Sequence, residues 1–151
     1  MGRAPFNALI VPFRMLDGRL EYAVTRRSDN GDWQFLSGGG EGTETPLSAA
    51  QREAYEEGGI PQDTYLIELD STASVPATCF SCWKEWGDDV YVVTEFSFGV
   101  DLTGRSLVLS DEHTDVRWLG YEEASKLLTF DSNRIAMWEL SERLKRDPAR
   151  P

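Results

Sequence analysis

The chain has 151 residues, 40% hydrophobic and 27% charged, a balance that belongs to one globular domain rather than a fibrous or disordered chain. A formal net charge of −11 excludes a protein that coats nucleic-acid phosphates, because such binding needs Lys and Arg in excess. No apolar run approaches the ~20 residues that cross a bilayer, and the Ala8–Phe13 run is cut by Pro12, so a cytoplasmic protein with neither membrane span nor signal peptide is expected.

Strands are expected near Phe6–Pro12 and Leu20–Thr25, joined by a turn at Asp17-Gly18. Asn30-Gly31 marks a second turn ahead of a short strand at Trp33–Leu36. Gly38-Gly39-Gly40 reads as a loop whose backbone can approach a phosphate or metal and take conformations closed to other residues. Thr45-Pro46 starts a helix, with a hydroxyl N-cap ahead of proline at the first helical position. Nothing breaks it until Gly58-Gly59 supplies the stop. On this helix Leu47, Ala50 and Ala54 form a narrow apolar stripe, fit to lie close to a sheet.

Glu53, Glu56 and Glu57 fall on an adjacent face at i, i+3 and i+4, where like charges repel by a few tenths of a kcal/mol per pair. They also occupy the C-terminal half, where the helix dipole disfavours anions. The sign is wrong for helix stability and right for a hard cation such as Mg²⁺, which binds a few carboxylates plus water and phosphate oxygens. Arg52, four residues before Glu56, can also reach Glu44 with its planar fork, and reads as an orienter of carboxylates.

Further strands are expected at Tyr65–Ala73, Val90–Phe98 and Val116–Leu119. In the second, Val90, Val92, Phe96 and Phe98 alternate with Tyr91, Val93, Glu95 and Ser97; both faces are partly apolar, as in a sheet covered on both sides. Helices follow at Tyr121–Leu128 and Ser132–Lys145, the second with Ile135, Trp138 and Leu140 towards the core. The domain is expected to span residues 1–146, with a disordered tail at 147–151. Cys79 and Cys82 form a C-x-x-C with no second pair, and His113 is the only histidine, whereas a structural zinc wants four such ligands. Reduced thiols, at least one buried, are expected, with no role assigned. Arg26 and Arg27 end a strand before the glycines, where one of them can meet a distal phosphate. Trp33, Trp83 and Trp86 are candidates for stacking on a ring, and Asn133 for hydrogen-bonding it or for capping a helix.

From Gly38 to Ile60 the sequence fits G-x5-E-x7-R-E-U-x-E-E-x-G-U, with U apolar, at Gly38, Glu44, Arg52, Glu53, Ala54, Glu56, Glu57, Gly59 and Ile60. This run resembles the signature of the Nudix hydrolases. The resemblance implies an α/β fold, an α/β/α sandwich with a mixed curved sheet between helices, and Mg²⁺- or Mn²⁺-dependent cleavage of a phosphoanhydride. It places the metal on Glu53, Glu56 and Glu57 with the Ser37 carbonyl, and the phosphates near Gly38 and Gly39. Ser37 stands where most relatives have glycine. The outlying W-Q-x-x-S-G from Trp33, E-H-T-x-x-R-W-L from Glu112 and S-N-R from Ser132 are similar to the branch containing dihydroneopterin triphosphate pyrophosphohydrolases and related nucleoside triphosphatases. By that likeness Glu112 is a further catalytic acid outside the helix, and the substrate a small nucleoside-triphosphate-like molecule split into monophosphate and pyrophosphate. No nucleic-acid polymer or membrane partner is expected, and the family allows a homodimer. Hydrolysis of dinucleoside polyphosphates or nucleotide sugars, or nucleotide sensing without turnover, stay open at this point.

Overall fold

The structure, a computed structural model, describes residues 2–148. Residues 149–151 of the expected tail lie outside the described residues.

The first strand, β1 (Arg3–Leu16), is the spine of the molecule. Leu9, Val11 and Phe13 enter one apolar core while Ala8 and Ile10 enter another, the period-two pattern of a strand covered on both faces. β1 runs straight through Pro12, which the sequence had suggested as its end. The partners on one edge explain why. β4 (Leu36–Glu41) pairs with β1 as far as Ile10, and β2 (Arg19–Arg27) takes over at Phe13. Pro12, with no N–H to offer, falls in the gap between them. β1 and β2 are joined at Asp17 (φ 51°) and Gly18 (φ 77°), the paired positive values of a tight hairpin turn.

The sheet runs β3-β2-β1-β6-β5, with β4 also on β1 and β7 also on β2. Here β3 is Trp33–Gln34, β5 Ile67–Pro76, β6 Val92–Asp101 and β7 His113–Leu119. Among the described residues only β1 and β6 pair in parallel, so the sheet is mixed. The strands extend a few residues beyond or start later than expected, Val90 and Tyr91 lying ahead of β6.

α1 (Pro46–Gly58) covers one face. Thr45 and Ser48 form a reciprocal capping box, and Gly59 closes the C-terminus in the left-handed conformation (φ 66°). Ala50 and Ala54 pack against Ala8, Ile10 and Leu36, as the apolar stripe implied. α2 (Tyr121–Leu127) and α3 (Asp131–Arg146) cover the other face, completing an α/β/α sandwich. On α3 the inward residues are Ala136, Met137 and Leu140. Ile135 and Trp138 are 57% and 51% exposed, correcting their expected place in the core. The buried positions Asn133, Ala136, Met137, Leu140 and Ser141 follow the three-to-four spacing of one helical face, and Ile135 and Trp138 stand off it. Among the described residues no helix is long and apolar enough to cross a membrane.

Candidate active site

Gly38, Gly39 and Gly40 lie in β4, paired with β1, rather than in a loop. None has a positive φ; among the described residues the first glycine beyond them that does is Gly42. Their task is close approach. A Cβ on Gly38 would overlap the Glu53 carboxyl, on Gly39 the Arg3 guanidinium, and on Gly40 the Phe6 ring. Glycine here lets side chains of α1 and β1 rest directly on the strand backbone.

Beneath them opens a cavity of about 540 Å³, within the usual range for small-molecule sites. Glu53 and Glu57 of α1, Ser37, Gly38 and Gly39 of β4, Arg27 at the end of β2 and Glu112 from the turn before β7 line one end. Arg52 braces this end from behind. Its Nε and Nη2 donate to both Glu44 oxygens at 2.8 and 3.0 Å, and Nη2 donates also to the Gly39 carbonyl at 2.8 Å. Nη1 donates to Glu53 at 2.9 Å and to Glu56 at 3.1 Å. One guanidinium thus ties loop, strand and helix together. Glu44 raises its pKa further, and Arg52 in turn holds Glu44 below the usual carboxylate range.

Glu57 is 3% exposed and accepts a hydrogen bond from the Ser37 amide at 3.0 Å. Burial, then the facing Glu112 carboxyl and Glu53, push its pKa up to about 10. Glu53 is raised too, chiefly by burial, against the pull of Arg52. Burying such acids side by side without a cation costs several kcal/mol per charge. Their oxygens are hard donors, and a dication among them would replace the protons that this crowding invites, so the donor set fits Mg²⁺ or Mn²⁺. Among the described residues no three acidic, histidine or cysteine side chains are already arranged to hold an ion. Glu56, 54% exposed, is turned to Arg52 at the rim rather than into the cavity.

Arg27 and Arg26 part company, as neighbours on a strand do. Arg27 lines the cavity, bonded through Nε and Nη2 to Asp29 at 2.9 Å each. Arg26 is exposed and lies 5.9 Å from the ring of Trp33, which also carries Arg117 at 4.7 Å. Trp33 is not among the cavity-lining residues. Asn133 does line it, but its Oδ1 accepts from the Phe35 amide at 2.9 Å, tethering α3 to the link between β3 and β4.

The same cavity is also lined by residues that the sequence reading passed over: Arg3, Asn7, Gln34, Val75, Phe80 and Glu95, with Arg3 and Asn7 beside Gly39. Asn7 and Glu95 had a visible signal, each being a polar residue at an inward position of an otherwise apolar strand. Trp83 and Trp86 do not reach the cavity; Trp86 instead donates to the Arg3 carbonyl at 2.7 Å and packs edge-on against Phe80 at 5.6 Å. Cys79 is exposed at the cavity wall and Cys82 half-buried, so neither thiol is buried as expected.

The NUDIX domain family model matches residues 6–140. A MutT-like protein of Streptomyces ambofaciens is 33% identical over 113 residues, 73% of this chain and 60% of that protein, so the chain spans about three-fifths of this curated relative's length. A NUDIX hydrolase of Listeria monocytogenes is 41% identical, with 95% of this chain and 97% of that one covered at a TM-score of 0.85. The dihydroneopterin triphosphate pyrophosphohydrolase of Escherichia coli is 28% identical, with 92% and 97% covered and a TM-score of 0.73.

Proposed function

Because the chain belongs to the NUDIX hydrolase family, we propose that it hydrolyses a phosphoanhydride in a nucleoside-triphosphate-like substrate, releasing a monophosphate and pyrophosphate. The observation that carries this reading is the convergence of Glu53, Glu57 and Glu112 on one cavity end walled by the β4 backbone. The likeness to the E. coli dihydroneopterin triphosphate enzyme supports the same substrate class.

Glu53 and Glu57 would hold Mg²⁺ or Mn²⁺, with Glu56 swinging from Arg52 and the Ser37 backbone completing the set. When bound, the cation neutralises polyphosphate charge and makes a water more acidic. Gly38 and Gly39 bring the β4 backbone to the cavity wall, where phosphate oxygens can approach beside the Glu53 carboxyl and the Arg3 guanidinium that rest on the strand. Arg27 faces the same space and offers its guanidinium to the distal phosphate, with Asp29 fixing its direction. Water attacks an inner phosphorus, and a carboxylate of the Glu53, Glu57 and Glu112 group takes its proton. Arg52 holds Glu53 and the Glu44 loop in place throughout.

Substrate loss and the phosphorylated products should be followed by chromatography, with Mg²⁺ and Mn²⁺, on nucleoside triphosphates, dihydroneopterin triphosphate, ADP-ribose and diadenosine polyphosphates, pyrophosphate being the expected product from the triphosphates alone. Turnover of the triphosphates above the other two classes supports the reading. Turnover confined to ADP-ribose or dinucleotides, or none with any metal, contradicts it.

A further inference from the structure

The cavity wall carries a buried polar pair, Asn7 and Glu95, that the carboxylates around Glu57 do not account for. Asn7 on β1 and Glu95 on β6 stand opposite each other in the parallel pairing, and Asn7 Nδ2 donates to Glu95 Oε2 at 2.6 Å. Both are buried, 6% and 7% exposed, and both line the cavity. That single bond is the only one Glu95 has among the described residues, and no Lys or Arg pairs with it there. A buried carboxylate so poorly supplied is unfavourable unless something else brings donors.

The surroundings say what sort of donor. Phe80 offers a ring at the same wall, and the Arg3 guanidinium lies 5.2 Å above that ring. Arg3 Nη2 donates weakly to Asn7 Oδ1 at 3.4 Å, while its buried Nε has no partner among the described residues. Trp86 fixes both, through its bond to the Arg3 carbonyl and its contact with Phe80. This stretch of wall therefore presents an aromatic ring, a carboxylate with only Oε2 engaged, and a spare N–H on Arg3.

We propose that this stretch of wall reads the 2-amino-4-oxopyrimidine edge shared by guanine and pterins, with Glu95 accepting from the ring N–H and the adjoining amino group. Arg3 or Asn7 donates to the ring carbonyl oxygen, and Phe80 stacks on the ring. Two neighbouring donors beside a carbonyl are what distinguish this edge. Adenine turns an acceptor towards the carboxylate, and uracil flanks its one N–H with two carbonyls. A site built to satisfy such groups discriminates strongly against rings that lack them. The inference rests on the proposed triphosphate hydrolysis for its turnover assay but not for its binding assay.

The test compares kcat/KM for GTP, ITP, ATP and dihydroneopterin triphosphate in the full chain with Mg²⁺. ITP differs from GTP only in lacking the 2-amino group. Expected is GTP above ITP by about tenfold and above ATP by more, with the GTP and dihydroneopterin triphosphate rates deciding which ring the Phe80 wall prefers. Glu95→Gln should bring the GTP-to-ITP ratio close to one. Thermal unfolding of that variant establishes that it is folded, and the wild-type ratio decides the matter if it is not. Equal rates for GTP, ITP and ATP, or an unchanged ratio in Glu95→Gln, overturn the proposal. If the chain hydrolyses none of them, the proposed function fails by itself. Calorimetric binding of GDP, IDP and ADP then reads the base edge alone: tighter GDP binding upholds it and equal affinities overturn it.

Discussion

Glu57 on α1 and Glu139 on α3 are both helical carboxylates turned towards the sheet from opposite faces, and their surroundings differ in almost every respect. Glu139 accepts from the Asp70 and Ser71 amides at 2.8 and 2.7 Å, from the Ser71 hydroxyl at 2.6 Å and from Arg143 at 2.7 Å. Burial pushes its pKa up, but those donors outweigh it and hold the group below its ordinary range. Glu57 is more deeply buried, has the Ser37 amide as its one N–H donor among the described residues, and faces two other acids. Glu139 is a fastener whose chemistry is complete within the chain. Glu57 is left incomplete, the state of a group whose partner arrives from outside.

The largest effect that sharpens this contrast is Glu57→Gln, which should lower metal-dependent turnover about a hundredfold or more. Its Tm should stay level or rise, because an amide relieves the crowding with Glu53 and Glu112; a marked fall would make Glu57 another fastener. Next comes Gly38→Ala. The added Cβ collides with the Glu53 carboxyl and must displace it, so activity should fall about tenfold or more while secondary structure by circular dichroism is retained. Unchanged activity would mean that Glu53 need not rest on β4.

Glu139→Gln should do the reverse of Glu57→Gln, costing about 1–3 kcal/mol in denaturant unfolding with kcat within about twofold of wild type. The smallest effect is its pH signature. A depressed folded-state pKa adds stability that is fully present above the unfolded value of about 4.3 and is lost as pH falls through the folded value. The stability gap between wild type and Glu139→Gln should therefore be constant near neutral pH and narrow on acidification. A gap that widens in acid would reverse the assignment.

What was legible in the sequence was local. α1 announced both ends through Thr45-Pro46 and Gly58-Gly59, and helix spacing turns Glu53 and Glu57 to the cavity together, while Glu56 turns to Arg52 at the rim. The contacts of Arg52 were within reach of the sequence because Glu44, Glu53 and Glu56 are near it in the chain. The glycine run was misread for the opposite reason: the side chains that crowd Gly38 and Gly39 come from Glu53 on α1 and Arg3 on β1, and nothing in a run of glycines says which neighbours approach. The buried polar pair on the cavity wall was missed likewise. Asn7 and Glu95 are 88 residues apart and meet only through the parallel pairing of β1 with β6. Trp33 looked available next to the glycines, but strand alternation placed it outside the cavity wall, with Arg26 and Arg117.

The account stands on the acids around Glu57 being a seat for a divalent cation. Titrating Mn²⁺ into the full chain, followed by the loss of the free-ion EPR signal, measures this directly. Wild type should show a saturable site that Glu57→Gln weakens by about tenfold or more, while Glu139→Gln leaves it unchanged. Equal Mn²⁺ affinity in wild type and Glu57→Gln would place the ion elsewhere on this acidic surface and contradict the account.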